Sequence, residues 1–480
     1  GVFYVVGDGG AAQLRMYNIK EKREGVVLEG VQNYALSADG KKILYQRGAS
    51  YGIVDARPGQ NANAGGLALG KMQLQVQPKE EWAELYRDAW RIERDWFYDP
   101  ALHGTDWKGL GDRYGELVPY LSTRDDLNFI LGELGAELSA GHVYVERGDE
   151  PNKPARVESG LLGAEIEADP SGYFRIARIF PGENWQETTR SPLTEPGVNV
   201  KAGDLILAVD GTPTQGVDNF YRLLQNKADQ VVVLRVNGTA GEAGARDVRV
   251  RPVRSEQGLR YLEWVQDNRR KVEKASGGRI GYIHLPDTAI GGTRELYKGF
   301  YPQAYKDAII YDARYNNGGF IPDGMVELVS RPVLNYWVRR GIELNQTPNF
   351  ANSGPKVCLT NGHAGSGGDA FPWYFRQLGL GPLIGTKTWG GLIGLSNSPQ
   401  LLDGGQLTTP AYRFLTVDGK WAIENEGVAP DIEVIDRPEL IAKGEDPTLT
   451  KAVEVLMQEL KQNPPKKITA PPIPKGGAAH

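Results

Sequence analysis

The spacing of apolar residues changes along the chain, and each change predicts a different kind of element. Residues 3–6 (FYVV), 26–28 (VVL) and 43–45 (ILY) are short apolar runs bounded by the turn residues Gly7-Asp8-Gly9-Gly10 and Asp39-Gly40, which predicts strands. From Glu80 the period lengthens. Trp82, Leu85, Ala89, Ile92 and Trp96 recur every three or four residues with Glu and Arg on the opposite face, as in an amphipathic helix. A second helix is predicted from Thr123, with Asp126 placed to complete a capping box, through LNFILGELGAEL to Leu138. Between 157 and 253 strand-like runs return (LLGAEIE, YFRIARIF, LILAV, VVVLRV), with a short helix at Phe220-Tyr221-Arg222-Leu223-Leu224. From about 265 to 460, strands (RIGYIHL, AIIYDAR, PKVCLT, GPLIGT) alternate with helices, one of them after Ala370, the order of an α/β layered domain.

These shifts predict a multidomain chain of α+β and α/β parts. Residues 1–57 read as the end of a β-propeller, 58–79 as a small, polar linker, and 80–155 as a helical module carrying His142. Residues 156–256 read as a PDZ-like domain, 257–462 as the α/β domain, and 463–480 as a Pro-, Lys- and Gly-rich disordered tail. The propeller reading rests on LSADGKKILY at 36–45, a strand–DG–strand pattern like the hairpin of a blade. One blade cannot bury its own faces, so the chain is expected to begin inside a longer protein. The PDZ-like reading rests on VKAGDLILAVDG at 200–211, which resembles the GD-x-I-x-x-V-D-G strand and hairpin of that domain. Gly160-Leu161-Leu162-Gly163 stands in the place of its carboxylate-binding loop. Such a loop and the strand after it either take an extended peptide by strand addition or belong to a spacer whose groove is blocked.

Composition narrows the function classes. The chain has 480 residues, 40% hydrophobic and 24% charged, which excludes disorder throughout. A net charge of −5 gives no electrostatic footprint for nucleic acid or an anionic membrane. No apolar run approaches the ~18 residues of a membrane span. The single cysteine, Cys358, excludes an intrachain disulfide and a cysteine-cluster metal site. The five histidines are scattered, and neither a metal nor an organic cofactor is expected. Gly65-x4-Gly70-Lys71 resembles a phosphate-binding loop, but Met72 stands where Ser or Thr must hold magnesium, so it reads as linker.

Candidate chemistry lies in three places. In CLTNGHAGSGGDAF, residues 358–371, an apolar strand ends in a turn of small residues and Ser366 opens the next helix. Such a serine is either a helix N-cap or an exposed nucleophile with helix-terminal N–H groups beside it. Ala364 stands two residues before it, so the G-x-S-x-G elbow is not met. DARYNNGGF, residues 312–320, ends another strand in paired glycines, either a plain turn or a place where backbone N–H groups approach a carbonyl oxygen. Gly141-His142-Val143-Tyr144 puts a histidine at an element boundary, as a general base reaching across an interface or as a structural residue.

AGSGGD around Ser366, LGLGPLIGTKTWGG at 378–391 and ENEGVAPDIEV at 424–434, in this order after a helical module and a PDZ-like domain, resemble the tricorn protease family over residues 80–460. These are serine peptidases related to the C-terminal processing proteases. The resemblance implies a crotonase/ClpP-like catalytic domain, Ser366 as nucleophile, His142 as general base and Glu424 as the acid of the charge-relay network. It also implies Gly319 and Gly367 as oxyanion-hole N–H donors, with Trp337 and Gly318 on the substrate-binding side. It further implies a homohexamer acting on short unfolded peptides downstream of larger proteases. The family default is cytoplasmic, or periplasmic if a signal peptide precedes this chain. Three positions depart from the family: Gly141 replaces a serine of its hydrogen-bond tetrad, Gly367 an acidic residue, and no acid occurs in LNYWVRR at 334–340. Less preference for basic side chains at the cleaved bond is expected. Two alternatives are a non-catalytic PDZ peptide-binding scaffold and a Ser–Lys processing protease. In the latter, Lys387 matches the first lysine of the Ser–Lys motif while Gly391 occupies the catalytic position. His363 is a second candidate base.

Overall fold

The computed structural model describes residues 1–7, 12–61, 65–149, 154–395, 398–465 and 468–472. It forms two compact units, Gly1–Glu81 and Trp82–His480. In the first unit, β1 (Val2–Val6), β2 (Gln13–Asn18) and β3 (Arg23–Glu29) make one antiparallel sheet, and β4 (Asn33–Leu36), β5 (Lys42–Arg47) and β6 (Ser50–Asp55) another. The hairpin expected around Asp39-Gly40 is present, with Leu36 opposite Ile43. β2 and β6 are new: QLRMYN and SYGIVD mix polar and apolar residues too evenly to stand out as runs. The stretch expected as linker is exposed from Gly65 to Gln77, and the Gly70-Lys71 decoy lies in a 3₁₀ turn, Leu69–Lys71.

The second unit begins with three helices, α1 (Pro78–Trp96, whose first turn belongs to the preceding unit), α2 (Trp107–Gly115) and α3 (Arg124–Ala136). The apolar stripe of α1 buries Leu85, Tyr86, Ala89 and Ile92 as its period requires, but Trp96 at its end is exposed. Thr123 and Asp126 form the capping box, each side chain accepting the other's backbone N–H. A short strand, β7 (Val145–Glu146), follows.

The PDZ-like part contains β8 (Ala164–Ala168), β9 (Phe174–Ile179), β10 (Leu205–Val209), β11 (Thr212–Pro213), β12 (Val232–Asn237) and β13 (Arg246–Val250). They form one antiparallel sheet in the order β13-β12-β10-β9-β8, with β11 off β10. Phe220–Leu224 is a 3₁₀ helix. A 20-residue helix, α4 (Gln257–Ser276), leads out of this sheet.

The α/β part is built from β14 (Ile280–His284), α5 (Ile290–Gln303), β15 (Ala308–Asp312), α6 (Pro322–Ser330), β16 (Asn335–Arg339), β17 (Ile342–Thr347), β18 (Lys356–Thr360) and α7 (Gly367–Gln377). After these come β19 (Leu383–Gly385), β20 (Gly394–Leu395), β21 (Gln406–Leu407), β22 (Pro410–Tyr412), β23 (Ile432–Glu433), α8 (Pro438–Ile441) and α9 (Pro447–Gln462). Its centre is a parallel sheet, β14-β15-β18-β19-β23. Side chains alternate across the sheet. Ile283, Ile309 and Tyr311 pack with Phe300, Met325 and Phe371 from α5, α6 and α7, while Ile280, Ile310 and Leu359 pack with Val272 of α4 and Leu456 of α9. Both faces are covered, which explains why these strands are unbroken apolar runs.

Three tie points place the functional segments. β21 pairs with β7, and the buried pair Arg124–Asp403 (2.6 Å) closes beside it, so the helical module and the α/β part share one core. At the end of β15, buried Arg314 binds Asp312 (2.7 Å) and the α9 N-cap Asp446 (2.8 Å). His284 Nε2 lies 2.9 Å from Arg314 O. Of the tail expected to be disordered, residues 466–467 and 473–480 lie outside the described residues.

Candidate active site

Ser366 follows the buried strand β18 and opens α7 with φ 59° and ψ −119°. A non-glycine residue in this region stores about 1–3 kcal/mol of backbone strain, and the surrounding bonds hold it there. Gly365 N–H donates to Asn316 O (3.1 Å), and Asp369 and Ala370 N–H donate to Ser366 O (2.8 and 3.0 Å). Beneath the turn Asp369 is fully buried. Its Oδ1 accepts the Thr388 hydroxyl and the Gly390 N–H, tying α7 to the TWGG segment, and burial pushes its carboxyl above the usual range.

The NNGG turn after β15 lies directly against this serine. A Cβ on Gly318 would stand 2.6 Å from Ser366 Cβ, and one on Gly367 would stand 2.9 Å from Gly319 N and 1.9 Å from Thr288 Oγ1. Gly318 and Gly319 have φ 78° and 140°, so the turn needs glycine for both conformation and space. Gly318 engages both of its backbone groups: its N–H donates to Asn316 Oδ1 (2.9 Å), and its carbonyl accepts the Thr288 N–H (2.8 Å). Gly319 and Gly367 differ. Among the described residues neither N–H donates to any protein acceptor. Two amides beside a strained serine are thus left without a partner.

His142 enters from the helical module with φ 63°. Thr408 Oγ1 donates to its carbonyl (2.6 Å) and accepts the Tyr144 N–H (2.8 Å). Its ring makes edge contacts with Tyr144 (5.9 Å) and Trp389 (5.5 Å), and its Nδ1 is buried without a hydrogen-bond partner. Burial lowers its pKa below the ordinary histidine value, and the Glu424 charge pulls partly back. Glu424 is buried and accepts three backbone N–H groups: Gly141 on Oε1 (2.6 Å), and Leu392 and Ile393 on Oε2 (2.7 and 2.9 Å). The carboxylate therefore grips the residue before His142 rather than the imidazole itself. No hydrogen bond joins Ser366 to His142 among the described residues.

Trp389 stands at the meeting point, and periodicity gave no sign of it. Its N–H donates to Ala364 O (2.9 Å) and its indole edges the His142 ring. A Cβ on Gly365 would come within 2.5 Å of the indole, one on Gly391 within 2.2 Å, and one on Gly141 would lie 3.6 Å away. Gly365 and Gly391, from two separate turns, make room for one ring, and Gly141 lies at ordinary contact distance from it. The same ring fills the space at Gly391 where a dyad lysine would project, and Lys387 is exposed. His363 is exposed and stacks on Tyr315 (5.5 Å, 22°), with no hydrogen bond to Ser366. Trp337 sits on the β16–β17 hairpin, 66% exposed, with its indole N–H on Thr347 Oγ1 (2.8 Å). No hydrogen bond or ring contact among the described residues joins it to Ser366, His142 or Glu424. Thr288 is a second residue missed from sequence: its hydroxyl is buried beside Gly367 without a partner. Only the folded turn brings it there.

Comparison with known proteins places the parts of the chain in known families. Residues 78–136 match the tricorn protease C1 domain, 160–255 the tricorn protease PDZ domain, and 279–434 peptidase family S41. Tricorn protease homolog 1 of Streptomyces coelicolor is 34% identical over 467 residues, covering 96% of this chain and 43% of its own. The tricorn protease of Thermoplasma acidophilum is 32% identical over 451 residues, covering 93% and 41%. A crystal structure of the tricorn protease superposes with a TM-score of 0.85 at 30% identity, covering 96% of this chain and 45% of that one. The chain thus spans under half the length of these relatives. Among the described residues no helix is long and apolar enough to cross a membrane, and no cluster of His, Cys, Asp and Glu could hold a metal ion.

Proposed function

The chain belongs to the tricorn protease family, and on that premise we propose that it is a serine peptidase hydrolysing short unfolded peptides through an acyl-enzyme. Ser366 Oγ attacks the peptide carbonyl carbon while His142 takes its proton. The carbonyl oxygen becomes an oxyanion between the Gly319 and Gly367 N–H groups. Collapse breaks the C–N bond, and His142 returns the proton to the leaving amine. Water then repeats the sequence on the ester and frees the serine. The observation that carries this reading is the pair of unengaged amides flanking a serine held at φ 59°. Each oxyanion donor contributes roughly 2.7–4 kcal/mol to the transition state in comparable enzymes.

Burial keeps His142 neutral, as a base must be before attack. Glu424 fixes its position through Gly141. The gap between His142 and Ser366 closes as substrate binds, since catalytic hydrogen bonds commonly tighten only in the complex. Within the same reading, the two sheets of the first unit are propeller blades, and the parallel sheet is a crotonase/ClpP-like core. The active assembly is a homohexamer in the cytoplasm, fed by larger proteases.

A serine-reactive phosphonate followed by intact mass tests the chemistry, with Ser366→Ala and His142→Ala alongside. One adduct on the unmodified protein, mapped to Ser366 and missing in both variants, is expected. No adduct on folded protein refutes the proposal. Substrate preference is tested separately. Phe320 and Ile290 are 75% and 86% exposed beside the Gly319 turn, and 334–340 has no acid. Apolar residues are therefore expected at the cleaved bond. A P1 series led by Lys and Arg would contradict that expectation.

A further inference from the structure

The loop before β8 stands where a PDZ domain holds a peptide's terminal carboxylate, yet its amides are already taken. Gly160 N–H donates to Leu224 O and Leu161 N–H to Val253 O, both at 2.8 Å. Gly163 and Ala164 N–H donate to Glu256 Oε1, at 2.8 and 3.3 Å. Leu162 keeps the one N–H of this loop without an acceptor among the described residues. Glu256 stands one residue past the matched PDZ region, at the N-cap of α4, and is 6% exposed. Its other oxygen accepts the Arg260 guanidinium (2.9 Å), which lies over the Phe180 ring (4.6 Å). Leu259 is fully buried next to it, its Cδ1 3.2 Å from where a Cβ on Gly163 would be. An acidic group on the loop amides with an apolar side chain packed beside them is how the last residue of a bound peptide would sit. Beyond β8 the sheet has no further strand among the described residues, and Glu256 with Leu259 fills the loop end of that edge, where a peptide's last residue would sit.

We infer that Glu256 is a built-in ligand of this loop, which admits a peptide's terminal carboxylate only once Glu256 has left. The tether explains the exclusion. A carboxylate fixed to the same chain competes at an effective concentration of about millimolar or higher, and an incoming peptide's apparent affinity falls by the fraction of loops left open. Arg178 on β9 strengthens the closure by bridging to Glu263 (2.5 Å) and Asp267 (3.3 Å), about two and three turns past Glu256 on α4.

Binding is measured on the full chain carrying Ser366→Ala, so that the peptide is not consumed and the result is independent of the peptidase reading. The probes are a fluorescein-labelled peptide ending in Val-Ala-Leu with a free carboxylate, and the same peptide amidated. With Glu256 intact, no difference between the two peptides is expected. With Glu256→Ala, affinity for the free acid should rise at least about tenfold while the amide is unchanged. Equal affinity of the free acid for both proteins overturns the inference, as does a folded Glu256→Ala variant that gains nothing. Hydrogen exchange keeps the idea testable should that variant fail to fold. In the Glu256 protein, the Gly160, Leu161, Gly163 and Ala164 amides, each held by an acceptor, should exchange slowly, at a rate the free-acid peptide leaves unchanged. Fast exchange there, or protection that grows with peptide, overturns it equally.

Discussion

Glu424→Gln tests how the two halves of the site are joined. Oε1 takes the Gly141 N–H at 2.6 Å, and Oε2 takes Leu392 and Ile393 N–H at 2.7 and 2.9 Å, in a residue 6% exposed. Glutamine has one acceptor oxygen. Facing Leu392 and Ile393, it keeps two bonds and points its NH₂ at the Gly141 N–H. The opposite flip sets its donors against two others and costs more. The better flip still loses one charge-assisted bond, about 1.5–3 kcal/mol, and leaves a buried donor facing a donor, about 1–3 kcal/mol more. Gly141 relieves part of that by moving, and His142 moves with it. If roughly 3 kcal/mol remains, a unit of about 400 residues, with an unfolding entropy near 0.8 kcal/mol per kelvin, loses about 4 °C of Tm. The charge has a separate effect. Glu424 raises the His142 pKa against burial, so its removal lowers that pKa further. The acid limb of kcat/KM, along which His142 loses its proton, should shift to lower pH. The assay is kcat/KM on a fluorogenic peptide across the acid and neutral range, with a thermal melt of each protein. A limb that stays in place or moves to higher pH refutes the electrostatic link, and an unchanged Tm refutes the bond accounting.

Three further outcomes follow from the geometry. Gly141→Ser places a Cβ 3.1 Å from Glu424 Oε1 and 3.3 Å from Gly391 Cα. Gly141 does not have a positive φ, so the two neighbours need give by only a few tenths of an ångström, and a hydroxyl beside Glu424 and one residue from the bare Nδ1 of His142 should raise kcat/KM several-fold; a lower kcat at unchanged Tm argues against this. Gly391→Ala drives a methyl to within 2.2 Å of the Trp389 ring. Overpacking of about 1–3 kcal/mol should displace the indole, shift its fluorescence and cut kcat/KM, whereas Lys387→Ala leaves both as they were; loss of activity in Lys387→Ala would favour a lysine mechanism. Burial raises the Glu93 pKa to about 8, with the Thr409 hydroxyl the one hydrogen-bond partner of its carboxyl among the described residues. Because the folded value exceeds the unfolded one, stability is fully present at acid pH, declines as pH rises from the unfolded value, and is lost through pH about 8. Glu93→Gln should therefore equal the parent below about pH 4 and exceed it above pH 8, by about 5 kcal/mol at most; parallel pH–stability curves for the two proteins would refute it.

What the sequence disclosed depended on how local each signal was. Strands of the parallel sheet stood out because burial on both faces demands unbroken apolar runs, and Thr123 with Asp126 fixed a helix start within four residues. The three TWGG, AGSGGD and ENEGV motifs pointed to a family, but their glycines read as turns. A purpose shared by Gly365 and Gly391, space for Trp389, exists only when those two turns meet. The Glu424 contacts were equally out of reach, since a carboxylate that bonds backbone N–H groups leaves no pattern in the partners' side chains. The exposed end of the α1 stripe shows the limit of periodicity, for Trp96 keeps the helical spacing but runs past the edge of the core. Thr288 and Glu256 carry no motif at all.

The bond from Gly141 to Glu424 spans 283 positions, and Arg124 to Asp403 spans 279. A ribosome adds about 5–20 residues per second, so roughly 15 to 60 seconds separate the synthesis of the histidine module from that of the segment that holds it. Throughout that interval Ser366 and His142 belong to pieces that have not yet met. On the proposed mechanism a nascent chain is therefore inert toward its own unfolded segments and toward neighbouring chains. If the chain is the peptidase proposed above, the long reach between the two halves of the site acts as a safety catch, released only when the chain that carries it has largely folded.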